Sequence, residues 1–171
     1  PPSSTAILAG GGRMADAVRD ADGLHRLGET VSHWLCIRVM VVQAELLGAL
    51  LPGATLCRSL AEWRLLKSEL AILDPWIFLR EEEPRLVGPR LPESWDVTSD
   101  SIAARFASAI GAAELVLLKS TLPAPASTLA DAAAAGYVDA FLPRLADCVP
   151  RVRCVDLRAA EFPQTIWQRT P

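Results

Sequence analysis

The densest group of chemically capable side chains in this chain is "SWDVTSD" at 94–100, which holds an indole, two aspartates and three hydroxyls. A Pro/Gly-rich loop, "EEEPRLVGPRLPE", precedes it and an apolar run, "SIAARFASAIGAA", follows. Asp96 and Asp100 lie four residues apart, with Thr98 and Ser99 between them. Helix capping accounts for part of this: Thr98 or Ser99 caps a helix that starts near Asp100, and an acidic residue suits the first turn. Capping leaves Trp95, Asp96 and the second hydroxyl unexplained. At the C-terminal edge of a parallel sheet, where α/β proteins bind ligands, Asp100 would orient lysines or magnesium. Asp96 would grip a donor on an acceptor molecule.

Three further features carry chemistry. "AGGGRMAD" at 9–16 places Gly10, Gly11 and Gly12 between an apolar run and a helical pattern. Backbone N–H groups there can turn toward an anion, aided by the helix N-terminus. It is neither GxGxxG nor a Walker loop, and a tight strand-to-helix turn is the competing reading. "SHW" sets His33 and Trp34 in the first turns of a long helix. His33 there points at a substrate anion or is a capping or core histidine, and Trp34 walls a ligand or fills the core. "LVLLKST" puts Lys119 at the end of an unbroken apolar strand, 115–118. A lysine at that edge neutralises phosphates as a point charge, or simply leaves the sheet for solvent.

These residues need elements to hold them. "TAILAG", the glycines and "RMADAVRDADGL" read as strand, loop, helix. "GETVSHWLCIRVMVVQAELLGALLPG" reads as the longest helix, 29–51, apolar on most faces and stopped by Pro52-Gly53. "ATLCRSL" suggests a strand, "AEWRLLKSELA" a short helix or turn, and "LDPWIFLRE" a strand at 76–79. A helix at 101–109, the buried strand at 115–118, a helix in "STLADAAAAGYV", a helical "AFLPRLADCVP" and a final strand "VRCVDL" complete the series. Alternation of strands and helices predicts an α/β protein with a mainly parallel, helix-covered sheet.

Composition narrows the function. The 171 residues are 51% hydrophobic and 22% charged, a globular balance in one domain. The net charge of −3 and the absence of a basic stripe argue against nucleic acid or an anionic membrane as partner. No run reads as a membrane span or signal peptide, although the chain opens without Met. Four cysteines without a CxxC pair and only two histidines argue against a zinc site and for reduced thiols in the cytoplasm.

Taken in order, these pieces resemble the amino acid kinase superfamily, the fold of acetylglutamate, aspartate and uridylate kinases. The matching segments are "AILAGGGRMADAVR", the long helix, and "SDSIAARFASAIGAAELVLL". More narrowly, "GGGRMADAVR", "SHW", "SWDVTSDSIAARFA" and "AAGYVDAFLPRL" are similar to the aminomethylfuran phosphate kinase branch, which serves methanofuran-type cofactor synthesis. The likeness runs over about residues 6–157, and "SWDVTSDSIA" is its specific part.

The resemblance implies a three-layer αβα sandwich with a mainly parallel central sheet, and phosphoryl transfer from ATP with Mg2+. It assigns Gly10, Gly11 and Gly12 to phosphate binding, Asp100 to organising catalytic lysines, and Lys119 and Ser120 to the loop facing the nucleotide. It places His33, Trp34, Trp95, Asp96, Thr98 and Ser99 on the acceptor side. It implies a homo-oligomer formed through the helix at 29–51.

The family's opening "KxGGS" strand has no counterpart here, so the domain is expected to lack its first strand and glycine loop. The family's "TDVDG" is here "KSTLPAP", and no second lysine follows Ala124 in the acetylglutamate kinase manner. Alternative expectations are a non-catalytic binding or storage member of the same fold, and a kinase for another small carboxylate or phosphate.

Overall fold

Apolar "LAIL" forms the middle strand of a first sheet. Three strands, β1 (Thr5–Ile7), β2 (Thr55–Cys57) and β3 (Leu70–Leu73), pair in parallel in the order β1-β3-β2. Ala71, Ile72 and Leu73 are fully buried, as the centre of a covered parallel sheet requires. Between β1 and β2 run α1 (Gly12–His25) and α2 (Glu29–Leu50). Between β2 and β3 lies α3 (Leu60–Leu65), whose first turn is fixed by Ser59 Oγ accepting from the Glu62 N–H. Glu82 adds a second anchor there, with both carboxylate oxygens accepting from the Leu60 N–H.

A computed structural model describes residues 4–125 and 127–168, which fall into two compact units divided between Trp95 and Asp96. The second unit holds α5 (Ser99–Ala109), β4 (Leu115–Lys119), α6 (Leu129–Ala134), a 3-10 segment Leu142–Cys148, β5 (Arg151–Asp156) and β6 (Gln164–Gln168). Its sheet has the order β4-β5-β6, with β4 parallel to β5 and β6 antiparallel. The protein is thus α/β, with one parallel sheet and one mixed sheet. A capping box between Thr128 and Asp131 starts α6. Gly136, at φ 70°, follows its end.

Several expectations change. The strand expected at 76–79 is helical: α4 (Pro75–Ile77) passes into a π-helical turn, Phe78–Glu82, and a 3-10 turn, Glu83–Arg85. Asp74 accepts from the Trp76 N–H and Pro75 takes the first helical position, a start signal that outweighs the apolar run after it. The strand of this region is β3, immediately before. β4 is not buried along its length: Leu115 and Leu117 point inward while Leu118 is 56% exposed. "AFLPRLADCVP" forms a 3-10 segment, and a strand, β6, follows the one read as last.

Helix α2 also departs from expectation. Its 22 residues, with a mean hydropathy of 1.4 over an 18-residue window, are long and apolar enough to cross a membrane. In the first unit it lies against α1, α4, β2 and β3, burying Ser32, His33, Ile37, Met40 and Ala44. Val31, Leu35, Val42 and Leu46 remain exposed. Length and composition are therefore met equally well by a helix laid on a sheet.

Candidate functional site

In the second unit, chemistry gathers where β4 ends and α5 begins. Lys119 is the last residue of β4, in register with Asp156 on β5. Asp100 sits in the first turn of α5. Lys119 Nζ donates to Asp100 Oδ2 at 2.6 Å, so the two residues assigned as catalytic do meet. Asp100 is buried, and burial pushes its carboxyl above the usual range, opposed by the Lys119 ammonium. The same ammonium lies 5.6 Å from the centre of the Tyr137 ring. Tyr137 donates its hydroxyl to the Thr121 carbonyl at 2.8 Å, fixing the chain just past Lys119 and Ser120. Burial holds the phenol well above its usual range and pushes the Cys154 thiol up to about 11. Neither ionises near neutral pH.

Asp139 organises the start of α5. One oxygen accepts from the Thr98 N–H, the Thr98 hydroxyl and the Ser101 N–H, at 2.9, 3.0 and 2.9 Å. The other accepts from the Ser101 hydroxyl and from the Leu142 N–H. Neither Thr98 nor Ser99 therefore caps α5 with its own side chain: Thr98 occupies the cap position, but the oxygen comes from Asp139. The Thr98 hydroxyl is a donor within this network. Ser99 is half-buried, and Asp96 is exposed, its carbonyl accepting from the Phe141 N–H.

In the first unit the glycine loop is built for close approach. A Cβ on Gly11 would lie 2.5 Å from the Ala15 Cβ and 3.6 Å from Val39, and Gly12 adopts φ 54°. Helix α1 starts without a side-chain cap and without an acidic residue in its first turn. Its first N–H groups thus receive no acceptor from a capping side chain. Gly10 is exposed beside them.

His33 and Trp34 meet edge to face, with ring centres 5.3 Å apart. His33 is buried, which lowers its pKa against the Ser94 carbonyl and Glu93, so the imidazole is neutral at pH 7. Trp95 is occupied: its indole N–H donates to Asp22 Oδ2 at 3.0 Å, and Arg19 lies 5.3 Å over its ring. Asp22 also accepts from the Gly28 N–H, which closes the turn between α1 and α2 and holds its carboxyl below the usual range.

A cavity of this unit opens beside His33 and Trp34. It has a volume of about 80 Å³, and its walls include Arg80, Glu83, Arg90 and Glu93. Arg80 stands 3.8 Å from the Trp34 ring centre and 5.1 Å from Trp76. Among the described residues no group of three or more His, Cys, Asp or Glu side chains is placed to hold a metal ion.

Sequence reasoning missed Asp139, Tyr137 and both arginines. Asp139 and Tyr137 lie in "AAGYVDAFLPRL", a segment matched as a likeness without a role for either residue. Arg80 lies in "LDPWIFLRE", read for a strand at 76–79, and Arg90 in "EEEPRLVGPRLPE", read only as a loop. The available signal was two arginines ten residues apart flanking a Pro/Gly turn. No protein-family model matches the chain, and a search of curated proteins finds no match.

Proposed function

We propose that the protein is an ATP-dependent small-molecule kinase that transfers the γ-phosphoryl group to a phosphate monoester such as aminomethylfuran phosphate, in methanofuran-type cofactor synthesis. The observation that carries this reading is the 2.6 Å pair between Asp100 and Lys119 at the C-terminal end of a parallel strand. An aspartate that fixes a lysine at a ligand-binding edge is what phosphoryl transfer needs, because positioning and charge neutralisation dominate that chemistry. The proposed fold is the three-layer αβα sandwich of the amino acid kinases, supported by parallel pairing in both sheets.

In this mechanism Asp100 holds the Lys119 ammonium as a fixed point charge for nucleotide phosphates. Gly10, Gly11 and Gly12 supply backbone N–H donors to phosphate oxygens, and Ser120 borders the nucleotide. Magnesium, when bound with ATP, neutralises charge on the nucleotide phosphates. His33, Trp34, Trp95, Asp96, Thr98 and Ser99 belong to the acceptor side, where Asp96 would pair with a cationic amine of the acceptor. A phosphate monoester has a second pKa of about 6, so its oxygen is already a nucleophile at neutral pH. That oxygen attacks the γ-phosphorus, the bond to the ADP oxygen breaks, and a diphosphate forms without a general base. We place the enzyme in the cytoplasm as a homo-oligomer through the helix at 29–51, where the exposed apolar residues of α2 support a partner.

The test is incubation of the protein, expressed from its complete gene, with ATP, magnesium and aminomethylfuran phosphate while ADP is followed. Acceptor-dependent ADP release is expected. No turnover with any phosphate or carboxylate acceptor, together with no nucleotide binding by calorimetry, would sink the reading.

A further inference from the structure

The cavity beside His33 and Trp34 has a charge arrangement that its own unit does not use up. Arg80 and Arg90 both line it, and neither has a carboxylate partner among the described residues. Arg80 is held instead by aromatic faces, 3.8 Å over Trp34 and 5.1 Å over Trp76, with Arg38 stacked 4.4 Å over Trp76. Stacking fixes the plane of a guanidinium while leaving its N–H fork open. The backbone contributes too. Arg80 lies in the π-helical turn Phe78–Glu82, and such turns recur at functional sites.

Another part of the lining is fixed by a different device. Glu83 is 3% exposed and accepts from the Leu91 N–H at 3.1 Å, tying down the residue next to Arg90. Its carboxylate is thereby engaged with the backbone. Glu93 is exposed, and among the described residues no hydrogen bond or ion pair engages its carboxylate. It disfavours an anion in the cavity without closing it.

We propose that this cavity is an oxyanion subsite, in which the guanidinium forks of Arg80, stacked on Trp34, and of Arg90 hold one phosphate or carboxylate group of a small acid. The volume of about 80 Å³ suits a single such group. Planar, doubly donating guanidinium groups match phosphate and carboxylate oxygens better than any other side chain. The inference deepens the reading of His33 and Trp34 as the acceptor side and rests on it only for the physiological ligand. Binding of the bare oxyanion is independent of any kinase activity.

The experiment is titration of the nucleotide-free protein with inorganic phosphate and, separately, acetate, followed by calorimetry and tryptophan fluorescence. Saturable binding of at least one is expected, and the tighter of the two identifies the group. Arg80→Ala and Arg90→Ala should each weaken it by about tenfold, and Arg80→Lys should weaken it less. Glu93→Gln should tighten it.

Circular dichroism checks that each variant is folded. No saturable binding by on the order of 10 mM, or folded arginine variants that bind like the parent, would overturn the subsite. Oxyanion binding with no ADP release under any acceptor would retire the kinase and keep the subsite. ADP release with an unchanged acceptor KM in both arginine variants, together with oxyanion binding equal to the parent's, would do the reverse.

Discussion

The two units spend their polar groups in opposite ways. In the second, Asp139 commits both carboxylate oxygens to five donors at the entry to α5, and Asp100 is paired with Lys119. In the first, Arg80 and Arg90 face a cavity with open donors. A saturated buried carboxylate shapes backbone, while unspent guanidinium groups at a cavity are available to something else. The motif that first suggested a site, "SWDVTSD", is itself divided by this contrast. Trp95 is tied to Asp22 in one unit, and Thr98 to Asp139 in the other. Density of polar residues alone did not separate structural from chemical roles; the count of free donors and acceptors does.

Asp139→Ala gives the largest expected effect. It strips the Thr98, Ser101 and Leu142 N–H groups of their acceptor in a buried region. Each such loss costs about 1 kcal/mol or more, so destabilisation of about 3 kcal/mol is expected in urea unfolding. A loss below about 1 kcal/mol would mean that Asp139 is not the organiser of α5. Asp100→Asn comes next and acts on chemistry instead. Lys119 loses its anionic partner but keeps solvent access, so the fold should persist. The kcat for ADP release should fall by about a hundredfold, the scale of losing one electrostatic positioning contact. Unchanged turnover would remove Asp100 from the mechanism.

In the first unit, Gly11→Ala probes whether the glycine loop is set by packing. An added Cβ 2.5 Å from the Ala15 Cβ crowds the first turn of α1, while Val39 of α2, at 3.6 Å, is in ordinary contact. Overpacking of this kind costs about 2 kcal/mol. If stability is unaltered and only nucleotide binding falls, the glycine serves phosphate approach alone.

What the sequence made legible was local. The glycine loop before α1, the long α2, and Asp100 in the first turn of α5 all follow from spacing and capping chemistry. The pairing of Asp100 with Lys119 was legible as topology, because a helix followed by a parallel strand brings its start to the strand's end. The Asp139 cap was not. It spans 38 to 41 residues of chain, and no local pattern encodes which carboxylate returns to a helix start. The helix at Pro75–Ile77 was legible but misread: four apolar residues suggested a strand, while Asp74-Pro75 ahead of them was a start signal. The arginine cavity depended on a π-helical turn, which no periodicity announces.

The smallest effect tests a salt bridge at the edge of the second sheet. Glu114 accepts a two-pronged contact from Arg153, at 3.0 and 2.7 Å, and lies 3.0 Å from Arg151. The Arg153 hydrogen bonds hold its carboxyl below the usual range. A depressed folded-state pKa adds stability above the ordinary carboxylate value, and that stability is lost as pH falls through the depressed value. The Glu114 side chain is 24% exposed and that of Arg153 27%, so solvent screens the pair. Glu114→Gln should therefore cost less than about 1 kcal/mol at pH 7. The difference from the parent should shrink as pH drops below the usual carboxylate range, and added salt should shrink it as well. A difference that grows on acidification has the wrong sign for this pair, and would assign the stability of β5 to its buried Val152 and Cys154 instead.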